Sequence, residues 1–102
     1  MVPTMKRMAE VAVHMVGGAA EVIAERDVDA ARRLEQDDEE MDELRKRSFR
    51  IMLGDDWAHG VEPAIDIALL GRYYERIADH AVSVANRVVF VVTGQQVNRN
   101  DD

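Results

Sequence analysis

Apolar residues recur at alternating spacings of three and four through Ile67, Leu70, Tyr74, Ile77, Ala81, Val84, Val88 and Val91. This is the period of one face of an α-helix. A seam this long leaves few architectures open: it predicts one helix over about Pro63 to Thr93, with its apolar side against a partner. Proline after Glu62 suits a first helical turn, and Gly94 is a natural C-terminal stop. The β-branched run from Val88 to Val92 has strand propensity, but the seam continues through it and the helical reading stands.

One long helix needs others to pack on. The spacing of Met5, Met8, Ala12, Met15, Ala19 and Val22 predicts a helix over about Pro3 to Glu25, in which Gly17-Gly18 marks either a bend or a close helix contact. Asp27 is a suitable N-cap for a second helix over about Val28 to Leu53, with a seam of Ala30, Leu34, Met41, Leu44, Ser48 and Ile51. Asp37 falls on that seam and breaks its apolar character, and Gly54-Asp55-Asp56 ends the helix. Pro3 and Pro63 are the two prolines, so no proline interrupts any of the three. Three amphipathic helices with short connections predict an all-α, antiparallel up-down-up three-helix bundle, one domain spanning residues 1–102.

Composition narrows the function. The 102 residues carry a net charge of −7, which argues against nucleic-acid binding and against unaided adhesion to an anionic membrane. The absence of cysteine excludes disulfides, thiolate metal sites and a cysteine nucleophile. No apolar run reaches transmembrane length, and no apolar segment of a signal peptide follows Met1-Val-Pro-Thr. A cytoplasmic protein is expected. No nucleophile–base pair, phosphate-cradling glycine loop or zinc spacing is present, so no enzymatic activity is expected.

Two acidic pairs stand out, Asp38 with Asp42 and Glu75 with Asp79. Like charges at i,i+4 destabilise an isolated helix by roughly 0.2–0.5 kcal/mol, which invites an explanation. If the second and third helices turn near Ala58, Asp38 comes level with Asp79 and Asp42 with Glu75. Glu75 and Asp79 point nearly opposite the third seam, sharing that face with Ala68, Arg72, Ser83 and Asn86. Four carboxylates at one level would form a surface patch suited to hard cations. The blander reading is a solvated face, with Arg72 and Arg76 each three residues before an acid and Arg45-Lys46-Arg47 following the acidic run. His14 and His59 carry little functional signal, and His80 points about 100° away from Asp79. Tyr73 and Tyr74 read as packing residues, and Trp57 as an anchor for the second connection.

The string Leu70-Gly-Arg-Tyr-Tyr-Glu-Arg-Ile-Ala-Asp-His-Ala-Val-Ser-Val-Ala-Asn, followed by Val-Val-Phe-Val-Val-Thr-Gly94, resembles the third helix of a PhoU repeat. Asp37-Asp-Glu-Glu-Met-Asp42 resembles the acidic-x-x-x-Asp motif of the second helix. The resemblance spans about Met5 to Gly94. It implies a three-helix bundle of PhoU-like or spectrin-like type, normally present twice per chain, here as a single repeat resembling the C-terminal half. It implies a metal ion or cluster (iron, zinc, manganese, magnesium or calcium) on Asp38, Asp42, Glu75 and Asp79, with Arg72 and Arg76 orienting them or meeting a partner. It also implies a regulatory adaptor that represses phosphate uptake and starvation signalling, its partners being a phosphate-specific ABC transporter ATPase and a sensor histidine kinase. Location at the membrane's inner face would come through those partners. A lone repeat is expected to self-associate over the face its twin would cover. The alternative is a metal-free helical interaction module, a fragment or an accessory domain of a transporter.

Overall fold

A computed structural model describes residues 1–94. Three helices, α1 (Val2–Glu25), α2 (Val28–Met52) and α3 (Val61–Thr93), pack in all three pairings. The expected bounds hold to within two residues. The expectation that Gln95 to Asp102 forms a polar tail lies outside the described residues.

Local chemistry sets the ends. Arg26 adopts a left-handed φ of 55° and its N–H donates to the Val22 carbonyl, closing α1. The next residue, Asp27, opens α2: one carboxylate oxygen accepts from the N–H groups of Asp29 and Ala30 at 3.0 and 3.1 Å. A two-residue connection forces α1 and α2 into an antiparallel hairpin, and Arg7 meets Glu40 while His14 meets Asp37. Between α2 and α3 the indole N–H of Trp57 donates to the Gly60 carbonyl at 2.8 Å, pinning the residue that begins α3. Gly60 has φ 87°, a conformation that favours glycine.

The core is made from α1 and α2 much as their seams predict. Met8, Met15, Leu34 and Met41 are the largest fully buried apolar side chains. Each such burial stabilises the fold by roughly 1.5–3 kcal/mol. Ser48 is also buried, and its hydroxyl donates to the Arg45 carbonyl at 2.7 Å, so it enters the core satisfied. Asp37 is half-buried at the edge.

In α3 the expected seam is not the buried one. Leu70, Ile77, Val84 and Val91 are exposed, while Gly71, Ala78, Ala81, Val82 and Ala85 are buried and Tyr74, Val88 and Val89 pack at their margin. The buried stripe is rotated by roughly 60° from the seam of large residues, at 100° per residue. Small side chains let the α3 backbone approach the methionines and Leu34: a Cβ on Gly71 would lie 3.6 Å from Met8 Cε. Close approach gains dispersion contacts along the whole interface. Gly18 does the same between α1 and α2, where an added Cβ would come within 2.9 Å of Leu34 Cδ2, while Gly17 beside it faces open space. The glycine pair therefore marks a close helix contact, made by Gly18.

Candidate functional site

The four carboxylates lie on α2 and α3, on the side where these helices meet away from α1. Because the α3 core is rotated, Glu75 stands on the flank facing α2 and is half-buried. It reaches Arg45, one turn beyond Asp42: Arg45 Nη1 donates to Glu75 Oε2 at 2.5 Å. Arg72 Nη1 lies 3.8 Å from the other oxygen, Glu75 Oε1. Both oxygens of Glu75 thus face guanidinium groups. The Arg45 side chain is itself held, its guanidinium carbon 5.4 Å from the centre of the Phe49 ring. Arg45 Nε is buried without a hydrogen-bond partner.

The other three acids are placed differently. Asp42 is exposed and takes Lys46 Nζ at 3.1 Å, and Glu43 lies 3.8 Å from the same ammonium. The hydrogen bond that Lys46 donates to Asp42, then the negative charge of Asp42, raises the Lys46 pKa above its ordinary value. Asp38 is half-buried and engaged by a neighbour. Asp79 and Arg76 are exposed, and no ion pair joins them among the described residues. Of the two local pairs anticipated, the structure forms Arg72–Glu75. Among the described residues no group of three or more His, Asp or Glu side chains is placed to hold a metal ion. The level match between α2 and α3 therefore does not become a cluster of donors in this arrangement.

Arg45 is the site residue the sequence reading passed over. Its signal was present in the basic run Arg45-Lys46-Arg47, one turn past Asp42 and on the same side as the acids of α3. On the opposite edge of α2, Arg7 grips Glu40 in a two-pronged pair at 2.6 and 2.9 Å. That hydrogen bond lowers the Glu40 pKa. His14 Nε2 lies 3.4 Å from Asp37 Oδ2. Chemically, α2 is a ridge of carboxylates matched to cations from α1 and from α2 itself, with Arg45 turned to the carboxylate of α3. Ser48 is buried against a carbonyl and Ser83 is exposed, and neither has an evident partner base.

A three-helix bundle whose α2 and α3 carry this charged ridge is the architecture the motifs implied. A model of the PhoU domain matches residues 5–88, and the chain belongs to the PhoU family. It is 47% identical over 87 residues to the phosphate-specific transport system accessory protein PhoU homolog 1 of Mycobacterium leprae (strain TN), covering 85% of this chain and 39% of that protein. It is 44% identical to homolog 2 of Mycobacterium tuberculosis (strain ATCC 25618 / H37Rv), covering 85% and 41%. To the PhoU homolog of Synechocystis sp. (strain ATCC 27184 / PCC 6803 / Kazusa) it is 32% identical over 90 residues, covering 87% and 40%. The chain thus spans about two fifths of these relatives. No solved structure gives a significant match. No helix among the described residues is long and apolar enough to cross a membrane.

Proposed function

We propose that the chain is a PhoU-type regulatory adaptor in phosphate homeostasis, restraining phosphate uptake and starvation signalling by docking to a phosphate ABC transporter ATPase and a sensor histidine kinase in the cytoplasm. The observation that carries this reading is the PhoU-domain match over residues 5–88. The α2–α3 ridge supports it: exposed Arg72, Arg76 and Asp79 beside paired carboxylates make a surface suited to reversible, charge-guided docking. The test is phosphate uptake and a starvation-promoter reporter in cells lacking the chain. Expected is derepression of both at high phosphate, restored by the wild-type chain and not by Arg72→Glu/Arg76→Glu. Unchanged uptake and reporter would overturn the proposal.

Metal binding at Asp38, Asp42, Glu75 and Asp79 is a separate proposal, and it carries a condition. Glu75 would have to leave Arg45 and Arg72, and Asp42 would have to leave Lys46. The ion pairs favour the metal-free interaction module at this surface. Elemental analysis of chain purified without chelator decides. Stoichiometric iron, zinc, manganese, magnesium or calcium, lost in Glu75→Ala/Asp79→Ala, is the outcome that supports the metal reading.

A further inference from the structure

The exposed surface of α3 divides into a flank and an outer side. Glu75 marks the side toward α2, so exposed Leu70, Ile77 and Val84 lie on the flank toward α1. Val61, Ile65 and Leu69 lie elsewhere. They follow one another at four-residue spacing, point away from the core, and are 74%, 53% and 52% exposed. Arg72 and Arg76 continue the same line over the next two turns, and both are exposed. The outer side of α3 thus begins with three apolar side chains and goes on with two guanidinium groups. At 1.5 Å per residue, the line from Val61 to Arg76 is about 22 Å long, roughly four turns of helix.

Charge in the second half of this line runs against the molecule as a whole, which carries a net −7. Arg45 and Arg72 share the one carboxylate of Glu75, and Arg76 joins no ion pair among the described residues. Even with Asp79 one turn further on, guanidinium groups outnumber carboxylates here. Arg72 stands 3.8 Å from its oxygen, beyond hydrogen-bond distance, so its donors remain available to another acceptor. We propose that this line docks an acidic amphipathic helix of a partner protein. Apolar side chains of that helix, three and four residues apart, rest on Val61, Ile65 and Leu69, and carboxylates on its same side meet Arg72 and Arg76. The inference rests on the adaptor reading and names the chemistry of the segment that is docked. Charge complementarity selects this occupant: a basic segment would meet Arg72 and Arg76 as like charge, and three apolar side chains are too few for a membrane-surface helix. The apolar half supplies affinity, and the arginine half supplies register and encounter rate.

The test uses the full chain and two dye-labelled synthetic helices of about 16 residues. Each carries Leu at every fourth position through one half and Glu at the same spacing through the other. The acidic half comes first in one peptide and last in the other. Fluorescence anisotropy should show saturable, roughly micromolar binding of one of them, weakening as salt rises. Arg72→Glu/Arg76→Glu and Ile65→Gln/Leu69→Gln should each weaken it by about tenfold or more. Helicity should be preserved in both, since all four side chains stand in solvent. Ile77→Gln, on the flank toward α1, should leave binding unchanged, and exchanging the Glu of the peptide for Lys should abolish it. Failure of both peptides to bind overturns the proposal, as does binding indifferent to either pair of substitutions. Tighter binding to vesicles of phosphatidylglycerol and phosphatidylcholine, lost in Ile65→Gln/Leu69→Gln, gives the line to a membrane and overturns it. A dimer in sedimentation that the same pair breaks gives the line to a second copy and also overturns it. Peptide binding intact, with phosphate regulation normal in cells lacking the chain, counts against the adaptor reading alone. Absent peptide binding, with regulation lost in those cells, counts against the docked helix alone.

Discussion

The two long sides of this bundle solve opposite problems. The α2 ridge is charged almost residue by residue: its acids are met by cations from its own helix and from α1, and its Arg45 meets Glu75 of α3. The α1–α3 face carries large apolar side chains in the open. A ridge of paired charge is at home in water and offers orientation to a partner. An apolar face is costly in water and offers affinity. The difference teaches where to look for two kinds of contact in a bundle of only three helices: selective, salt-sensitive docking at α2, and tight packing between α1 and α3.

The comparison can be broken most sharply at two neighbouring residues of α3. Ala85 is fully buried and Val84, beside it, is exposed. Ala85→Leu should destabilise the fold by about 1–3 kcal/mol through overpacking, whereas Val84→Leu should change it by less than about 0.5 kcal/mol. Denaturant unfolding of both variants measures this, and equal effects would place the core on the seam of large residues.

On the charged side, the partly buried Arg45–Glu75 pair should show a coupling on the order of 1 kcal/mol in a double-mutant cycle of Arg45→Gln and Glu75→Gln. No coupling would mean that α2 and α3 are held by their apolar contacts alone.

The adjacent glycines of α1 sharpen the contrast within a single turn. Gly17→Ala faces open space and should stabilise the helix by up to about 1 kcal/mol, while Gly18→Ala must displace buried Leu34 and should gain less or lose. Thermal unfolding of the pair reads the difference.

The smallest effect concerns acid. The Arg7 hydrogen bond lowers the folded-state pKa of Glu40, so its contribution is present above the ordinary carboxylate value and is lost as pH falls through the lowered one. The Tm difference between wild type and Glu40→Gln should therefore be present at neutral pH and vanish on acidification. Lys46 has the opposite sign: its raised pKa makes the Asp42 pair a contribution lost only as pH rises through that value.

Much of this molecule was legible in its residues. Asp27 announced the N-cap of α2, and the methionine and leucine seams of α1 and α2 became the core. The motifs of α2 and α3 pointed to the family that the PhoU-domain match over residues 5–88 shows. The partner of Glu75 was not legible. Register arithmetic put Asp42 level with Glu75, and the carboxylate is met by the long side chain of Arg45, one turn further along α2.

The sequence by itself determined the number of helices, their ends and the inward sides of α1 and α2, since those are properties of single segments: period, capping and breakers. Only the tertiary structure decided which side of α3 is buried. Periodicity points to where apolar surface is greatest on one helix taken alone. Packing selects the side that lets three backbones come closest, and on α3 that is the side of Gly71, Ala78, Ala81, Val82 and Ala85. The large side chains displaced by that choice became the exposed α1–α3 face.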